Sequence, residues 1–144
     1  MKVVILGCGR VGATLAMNLD RGGHNVTIID ASNDAFQRLE PDFRGERLVG
    51  NGVDEEILRR AGLEHADAFA AVTNGDNRNI MASQMAKAIF HVKKVVCRIY
   101  DPRRQSTYEK LGLESICPTL VGAEMLLAAV NGKKVHLAID DSKE

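Results

Sequence analysis

Short runs rich in β-branched residues recur along the chain, with longer stretches of helical periodicity between them. Runs at 3–6, 26–29, 47–49, 68–72, 95–99 and 115–117 read as strands, and a further one stands at 135–139. Strands alternating with helical patterns indicate βαβ units, and such units build a parallel sheet covered on both faces. The pattern is a β-α pair repeated six times and then a last strand. It predicts an α/β, Rossmann-like, doubly wound sheet of about six strands with helices on both faces.

Start signals and periodicity set the helices. Ser32 and Asp54 are placed to cap the second and third, Pro41 to end the second, and Asp76 stands near the start of the fourth. In that fourth helix, over 76–90, Ala82, Met85, Ala86 and Ile89 form one apolar stripe suited to packing on a sheet. The last helix differs, because between positions 120 and 130 only Glu124 is charged. A helix apolar nearly all round requires cover on more than one side. Either it is sandwiched within its own domain, or it forms a subunit interface.

With 144 residues, the chain is the size of one domain with a sizeable core. Its 19 basic and 19 acidic residues give a net charge of +0, so no basic excess exists for neutralising a nucleic-acid backbone. No apolar run approaches the roughly 20 residues that span a bilayer, and the amino terminus lacks a signal-peptide pattern; a cytoplasmic protein is expected. The three cysteines, Cys8, Cys97 and Cys117, include no Cys-x-x-Cys pair and read as reduced thiols. The four histidines share no metal-ligand spacing, so no metal site is expected.

The chemistry concentrates after the first strand, where Gly7-Cys8-Gly9-Arg10-Val11-Gly12 fits G-x-G-x-x-G and opens a helix. Such a loop needs a tight turn at Gly7, bare backbone at Gly9 for a pyrophosphate, and a small Gly12 where helix meets strand. The helix N-terminus then offers the phosphates free N–H groups and a positive dipole end. Asp30 ends the second strand about 20 residues further on, where a carboxylate accepts the hydroxyls of an adenosine ribose. No Arg or Lys follows it within 31–34 to favour a 2′-phosphate, which leaves NAD, ATP and ADP as ligands.

Further signatures are Val49-Gly50-Asn51-Gly52 after the third strand, Ala71-Val72-Thr73-Asn74-Gly75-Asp76-Asn77 after the fourth, and Arg98 on the fifth. With the glycine loop and Asp30, they make residues 1–140 resemble the N-terminal nucleotide-binding (RCK or KTN, TrkA-N) domain of the Trk/Ktr potassium-uptake regulators, leaving 141–144 as a polar tail. The resemblance implies a non-enzymatic regulatory subunit or domain that binds NAD or NADH, or in some members ATP or ADP. It would gate a membrane potassium transporter or channel from the cytoplasmic side, as a homodimer or ring held through the last helix.

By position, the resemblance puts Gly7, Cys8, Gly9, Arg10, Val11 and Gly12 along the phosphates, Asp30 on the ribose, and Asn51 and Gly52 at the adenine edge. Thr73 and Asn74 border the pyrophosphate or the far nucleoside, and Arg98 reaches the phosphates or the ligand's second half. Each has a plainer reading: Asn51-Gly52 as a turn, Thr73-Asn74 as a helix cap, Arg98 as a partner of Asp101. Val53 stands where the family often has Ser or Thr, and Thr119 where ATP-type members carry an acid, which speaks against an ATP-and-metal mode. The competing function is the cofactor domain of an NAD-dependent oxidoreductase. It lacks a general acid or base beside the expected nicotinamide and enough chain for a substrate pocket.

Overall fold

A computed structural model describes residues 1–135. Six strands, β1 (Lys2–Leu6), β2 (Asn25–Asp30), β3 (Glu46–Val49), β4 (Ala68–Ala71), β5 (Lys94–Arg98) and β6 (Glu114–Ile116), form one sheet in the order β3-β2-β1-β4-β5-β6. Every pairing is parallel, with Leu6 level with Ile29 on one side and Ala71 on the other. Parallel neighbours need crossovers, supplied by α1 (Arg10–Arg21), α2 (Glu55–Arg60), α3 (Asp76–Ala88) and α4 (Pro102–Lys110); α5 (Pro118–Val130) follows β6. The strand expected at 135–139 falls beyond the described residues.

Because side chains alternate across a strand, β1 feeds two cores. Val3 and Ile5 pack with Ala13, Ala16 and Met17 of α1 and with Phe36. Val4 and Leu6 pack on the opposite face with Leu58 of α2, Ala82 and Ala86 of α3, and Phe69 of β4. Fully burying a side chain such as Phe69 contributes ~1.5–3 kcal/mol. These two layers hold the carboxyl ends of β1, β2, β4 and β5 in one rim.

Three local expectations change. The second helix is a short 3-10 segment, Asn33–Arg38, and Ser32 at its start makes no side-chain cap; the Ser32 N–H donates to Asp30 instead. The buried face of α3 runs through Asn79, Ala82, Ser83 and Ala86, while Met85 is half-buried and Ile89 is 44% exposed. Two polar residues, Asn79 and Ser83, thus share the buried face with Ala82 and Ala86 of the expected stripe, and Asn79 is there because it bonds neighbouring strand ends. Finally, among the described residues α5 is not sandwiched: none of its residues is buried, and Leu126, Leu127 and Val130 are 68%, 62% and 83% exposed. Asp54 does cap α2, accepting from the Glu56 N–H at 2.9 Å.

Candidate functional site

Strand order reverses between β2-β1 and β4-β5, and the chain leaves β1 and β4 in opposite directions there. In parallel sheets such a switch point opens a crevice at the strands' carboxyl ends. Here it is a cleft of about 1270 Å³. Its floor is the glycine loop, where Gly7 has φ 106 and hands the chain from β1 to α1. Gly12 packs so tightly that an added Cβ would lie 1.7 Å from the Gly7 carbonyl oxygen. Gly9 is the reverse case, since a Cβ there would meet nothing within 4 Å and would project into open space.

That contrast tests whether the loop fits a bound phosphate. The first bond of α1 runs from the Ala13 N–H to the Gly9 carbonyl at 2.9 Å, so the N–H groups of Arg10, Val11 and Gly12 precede the intrahelical ladder. They crown the positive end of a 12-residue helix beside the bare Gly9. A pyrophosphate fits this cradle, and a side chain at Gly9 would fill it.

Asp30 stands at the end of β2 with its carboxylate already oriented. One oxygen accepts from the Cys8 N–H at 2.8 Å and the other from the Ser32 N–H at 2.9 Å. Each oxygen keeps a lone pair for a ribose hydroxyl. Burial, reinforced by the Asp30 charge, pushes the Cys8 thiol above its ordinary value, so Cys8 is a neutral packed thiol in the floor.

The remaining expected residues converge from other strands. Asn51 forms a turn, accepting from the Val53 N–H at 3.1 Å, and with Gly52 also lines the cleft, so the turn and lining readings coexist. Thr73 and Asn74 line it beyond β4, but neither caps α3, whose cap position is Gly75. Arg98 lines it from β5; Asp101 pairs with Arg103 rather than Arg98. Arg98 lies 4.1 Å over the Tyr100 ring and donates to the Tyr100 hydroxyl. Burial lowers its guanidinium, Asp76 opposes that, and its Nε is buried without a hydrogen-bond partner. Of the expected residues, Gly12 alone is absent from the lining, because it is packed beneath the loop.

The cleft also contains residues outside that expectation: Arg38, Arg78 and Tyr100 line it from three separate segments. Behind it, Asn79 is fully buried. Its amide oxygen accepts from the Thr73 N–H and hydroxyl at 2.9 and 2.6 Å, and its amide nitrogen donates to the carbonyls of Thr73 and Arg98 at 3.0 and 2.9 Å. One side chain therefore fixes the ends of β4 and β5 relative to each other. The available signal was Asn79 at helical spacing from Ala82, Ser83 and Ala86. Among the described residues, no three His, Cys, Asp or Glu side chains gather to hold a metal ion, and no helix is long and apolar enough to cross a membrane.

Known proteins are similar to this chain in sequence or in fold. The Trk system potassium uptake protein TrkA of Streptomyces coelicolor is 46% identical over 127 residues, covering 88% of this chain and 57% of that protein. A homologue from Pyrococcus abyssi is 32% identical over 77% of this chain and 49% of its own length. The chain thus spans about half the length of the curated relatives it matches. Among solved structures, the TrkA-N domain of the inner membrane protein ybaL from Escherichia coli superposes with TM-score 0.79 at 19% identity, over 89% of this chain and 95% of that one. GsuK bound to ADP gives 0.76 at 23% identity over 92% and 34%. The GsuK channel bound to NAD gives 0.68 at 16% over 80% and 21%. At those identities the structures share the fold. The family model described as TrkA-N domain matches residues 3–118, a span that contains the whole glycine loop and, among the described residues, all six strands except Lys2 at the start of β1, and the chain therefore belongs to the TrkA-N domain family.

Proposed function

We propose that this chain is the nucleotide-sensing part of a regulator of potassium uptake. In this reading it binds an adenine nucleotide, NAD or NADH first and ATP or ADP second, without chemical turnover. The observation that carries it is the open Gly9 cradle at the N-terminus of α1, set beside an Asp30 carboxylate held by two backbone N–H groups. Gly7, Cys8, Gly9, Arg10 and Val11 would hold the phosphates, with Gly12 packed beneath them. Asp30 would hold the ribose, Asn51 and Gly52 the adenine edge, and Thr73, Asn74 and Arg98 whatever extends past the phosphates. Relatives named as potassium uptake proteins support the physiological role.

The partner in this reading is a membrane potassium transporter or channel, reached from the cytoplasm by a homodimer or larger ring. Support for self-association comes from α5, whose exposed Leu126, Leu127 and Val130 present an apolar face to solvent. Regulation then requires two ligand forms with different affinities for two arrangements of the assembly.

Calorimetric titration with NAD, NADH, ATP and ADP tests the reading, with Asp30→Ala as the control. Loss of one charge-assisted hydrogen bond predicts about a tenfold or greater fall in affinity. Binding no tighter than millimolar for all four ligands would leave the loop a purely structural turn. Scattering profiles that superimpose for free and liganded protein would remove the regulatory half of the proposal.

A further inference from the structure

Three Asn-Gly pairs stand in the chain: Asn51-Gly52, Asn74-Gly75 and Asn131-Gly132. Such a pair can react without any partner, because the glycine backbone nitrogen, unhindered by a Cβ, can attack the amide carbon of the side chain before it. Two conditions set the rate. The glycine N–H must be free to lose its proton, and the asparagine Oδ1 needs a donor that stabilises the negative charge it gains during attack.

The fold treats the three pairs differently. The Gly75 N–H donates to the Thr73 hydroxyl at 3.2 Å, and the Gly132 N–H donates to the Ala129 carbonyl at 3.0 Å. Among the described residues, neither Asn74 nor Asn131 receives a backbone N–H on its side-chain oxygen. Asn51 reverses both conditions. Its Oδ1 accepts from the Val53 N–H at 3.1 Å, while among the described residues the Gly52 N–H donates to no group. The Asn51 backbone carbonyl also accepts from the Asp54 N–H at 3.0 Å. That carbonyl belongs to the same peptide group as the Gly52 nitrogen, so the bond polarises the group and makes its proton easier to remove. Asn51 is exposed, which gives water access. Nor can position 52 hold another residue cheaply, since an added Cβ would lie 2.1 Å from a Leu6 methyl carbon at the buried end of β1.

We infer that Asn51 is a site of spontaneous deamidation. The Gly52 nitrogen gives up its proton to solvent and bonds to Cγ of Asn51; the Cγ–Nδ2 bond breaks, and ammonia leaves with a proton from solvent. The five-membered imide that results is opened by water at either of its two carbonyls, giving aspartate or isoaspartate at position 51. One water is consumed and one ammonia released, with no change of oxidation state. The consequence rests on the nucleotide-binding reading given above. Asn51 lines the cleft, and conversion replaces an amide that donates and accepts by a carboxylate that only accepts. The isoaspartyl product also lengthens the backbone of the turn. The chain thus loses nucleotide affinity as it ages.

The test is peptide mapping by mass spectrometry after the whole chain has been incubated at mildly alkaline pH, folded or in urea. Cleavage after lysine and arginine places the three asparagines in separate peptides, 48–59, 61–78 and 111–133. In the folded chain Asn51 should convert several-fold faster than Asn74 or Asn131, and in urea the three rates should converge. Equal rates in the folded chain, or an unreactive Asn51, overturn the inference. So does a preference for Asn51 that persists undiminished in urea, since local sequence would then be its cause. Calorimetry with ADP should show the converted chain binding about fivefold more weakly than fresh chain, as loss of one amide hydrogen bond predicts. Equal ADP affinity before and after conversion overturns the functional consequence. Failure of fresh chain to bind ADP overturns the nucleotide reading and leaves the mapping result standing.

Discussion

Gly9 and Gly12 stand three residues apart in one loop, and the same added methyl group should have opposite effects at the two. At Gly9 the backbone is extended, with φ -80 and ψ -165, and a Cβ meets nothing within 4 Å. Alanine adopts that conformation without strain, and it removes freedom from the unfolded chain, so Gly9→Ala should leave stability unchanged or raise it by ~0.4–1 kcal/mol. The methyl group would nevertheless occupy the space where a phosphate approaches the N–H groups of α1. Losing two charge-assisted hydrogen bonds at ~1.5–3 kcal/mol each weakens nucleotide binding by about 100-fold or more.

At Gly12 the new Cβ would lie 1.7 Å from the Gly7 oxygen and 2.8 Å from its carbonyl carbon. Both are backbone atoms, so relief requires moving the loop against β1. Overpacking of this kind costs about 1–3 kcal/mol or more, which lowers Tm by roughly 3–10 °C in a domain of this size. Thermal unfolding and ADP titration of both variants separate the two effects. A Gly9→Ala protein that binds ADP like the unaltered chain would refute the placement of phosphate over Gly9. A Gly12→Ala protein as stable as the parent would refute the packing argument.

Other substitutions probe the surroundings of the cleft. Asn79→Ala leaves four buried or half-buried backbone and hydroxyl groups of Thr73 and Arg98 without their partner, and should cost about 3–5 kcal/mol in urea unfolding. A loss below ~1 kcal/mol would show that the strand ends hold themselves. Burial raises the Cys8 and Cys97 thiols above the ordinary 9.0, so the unfolded chain releases those protons first. Their contribution is complete below that value and lost as pH climbs toward the folded-state values, so the urea midpoint should fall as pH rises above about 9; a flat profile would count against buried neutral thiols. Leu126→Glu combined with Leu127→Glu should convert the proposed dimer to a monomer by light scattering, with protomer stability changed by no more than ~0.5 kcal/mol. An unchanged mass would place the interface elsewhere.

Much of the framework was legible because strands buried on both faces must be nearly continuous in apolar residues: the runs at 3–6 and 68–72 are unbroken, and that at 26–29 is broken only by Thr27. Asp54 was readable as a cap because its bond is local. What escaped was non-local. Arg38, Arg78 and Tyr100 meet at the cleft from segments far apart in sequence, and no spacing rule brings them together. Asn79 was hidden because a polar residue on a helix ordinarily faces water, whereas this one satisfies carbonyls of β4 and β5. The second helix is a short 3-10 segment rather than an α-helix, and Phe36 and Leu39 reach the core from that tighter turn. For α5 the pattern shows an apolar helix, but periodicity could not say that the described residues leave it uncovered.

The strand order also governs when the fold is completed. β1 pairs with β2 soon after both exist, yet its other edge waits for β4, with Leu6 and Ala71 roughly 65 positions apart. At the usual ~5–20 residues per second of synthesis, that edge stays open for about 3–13 s after β1 is made. The β3-β2-β1 half can assemble first, presenting a bare apolar strand edge to the ribosome surface and to chaperones. The cleft straddles the seam between this early half and the β4-β5-β6 half. Under the proposed function, a nucleotide would engage both halves only after the seam has closed, so a ligand present during translation would favour the joined form and disfavour the half-made sheet.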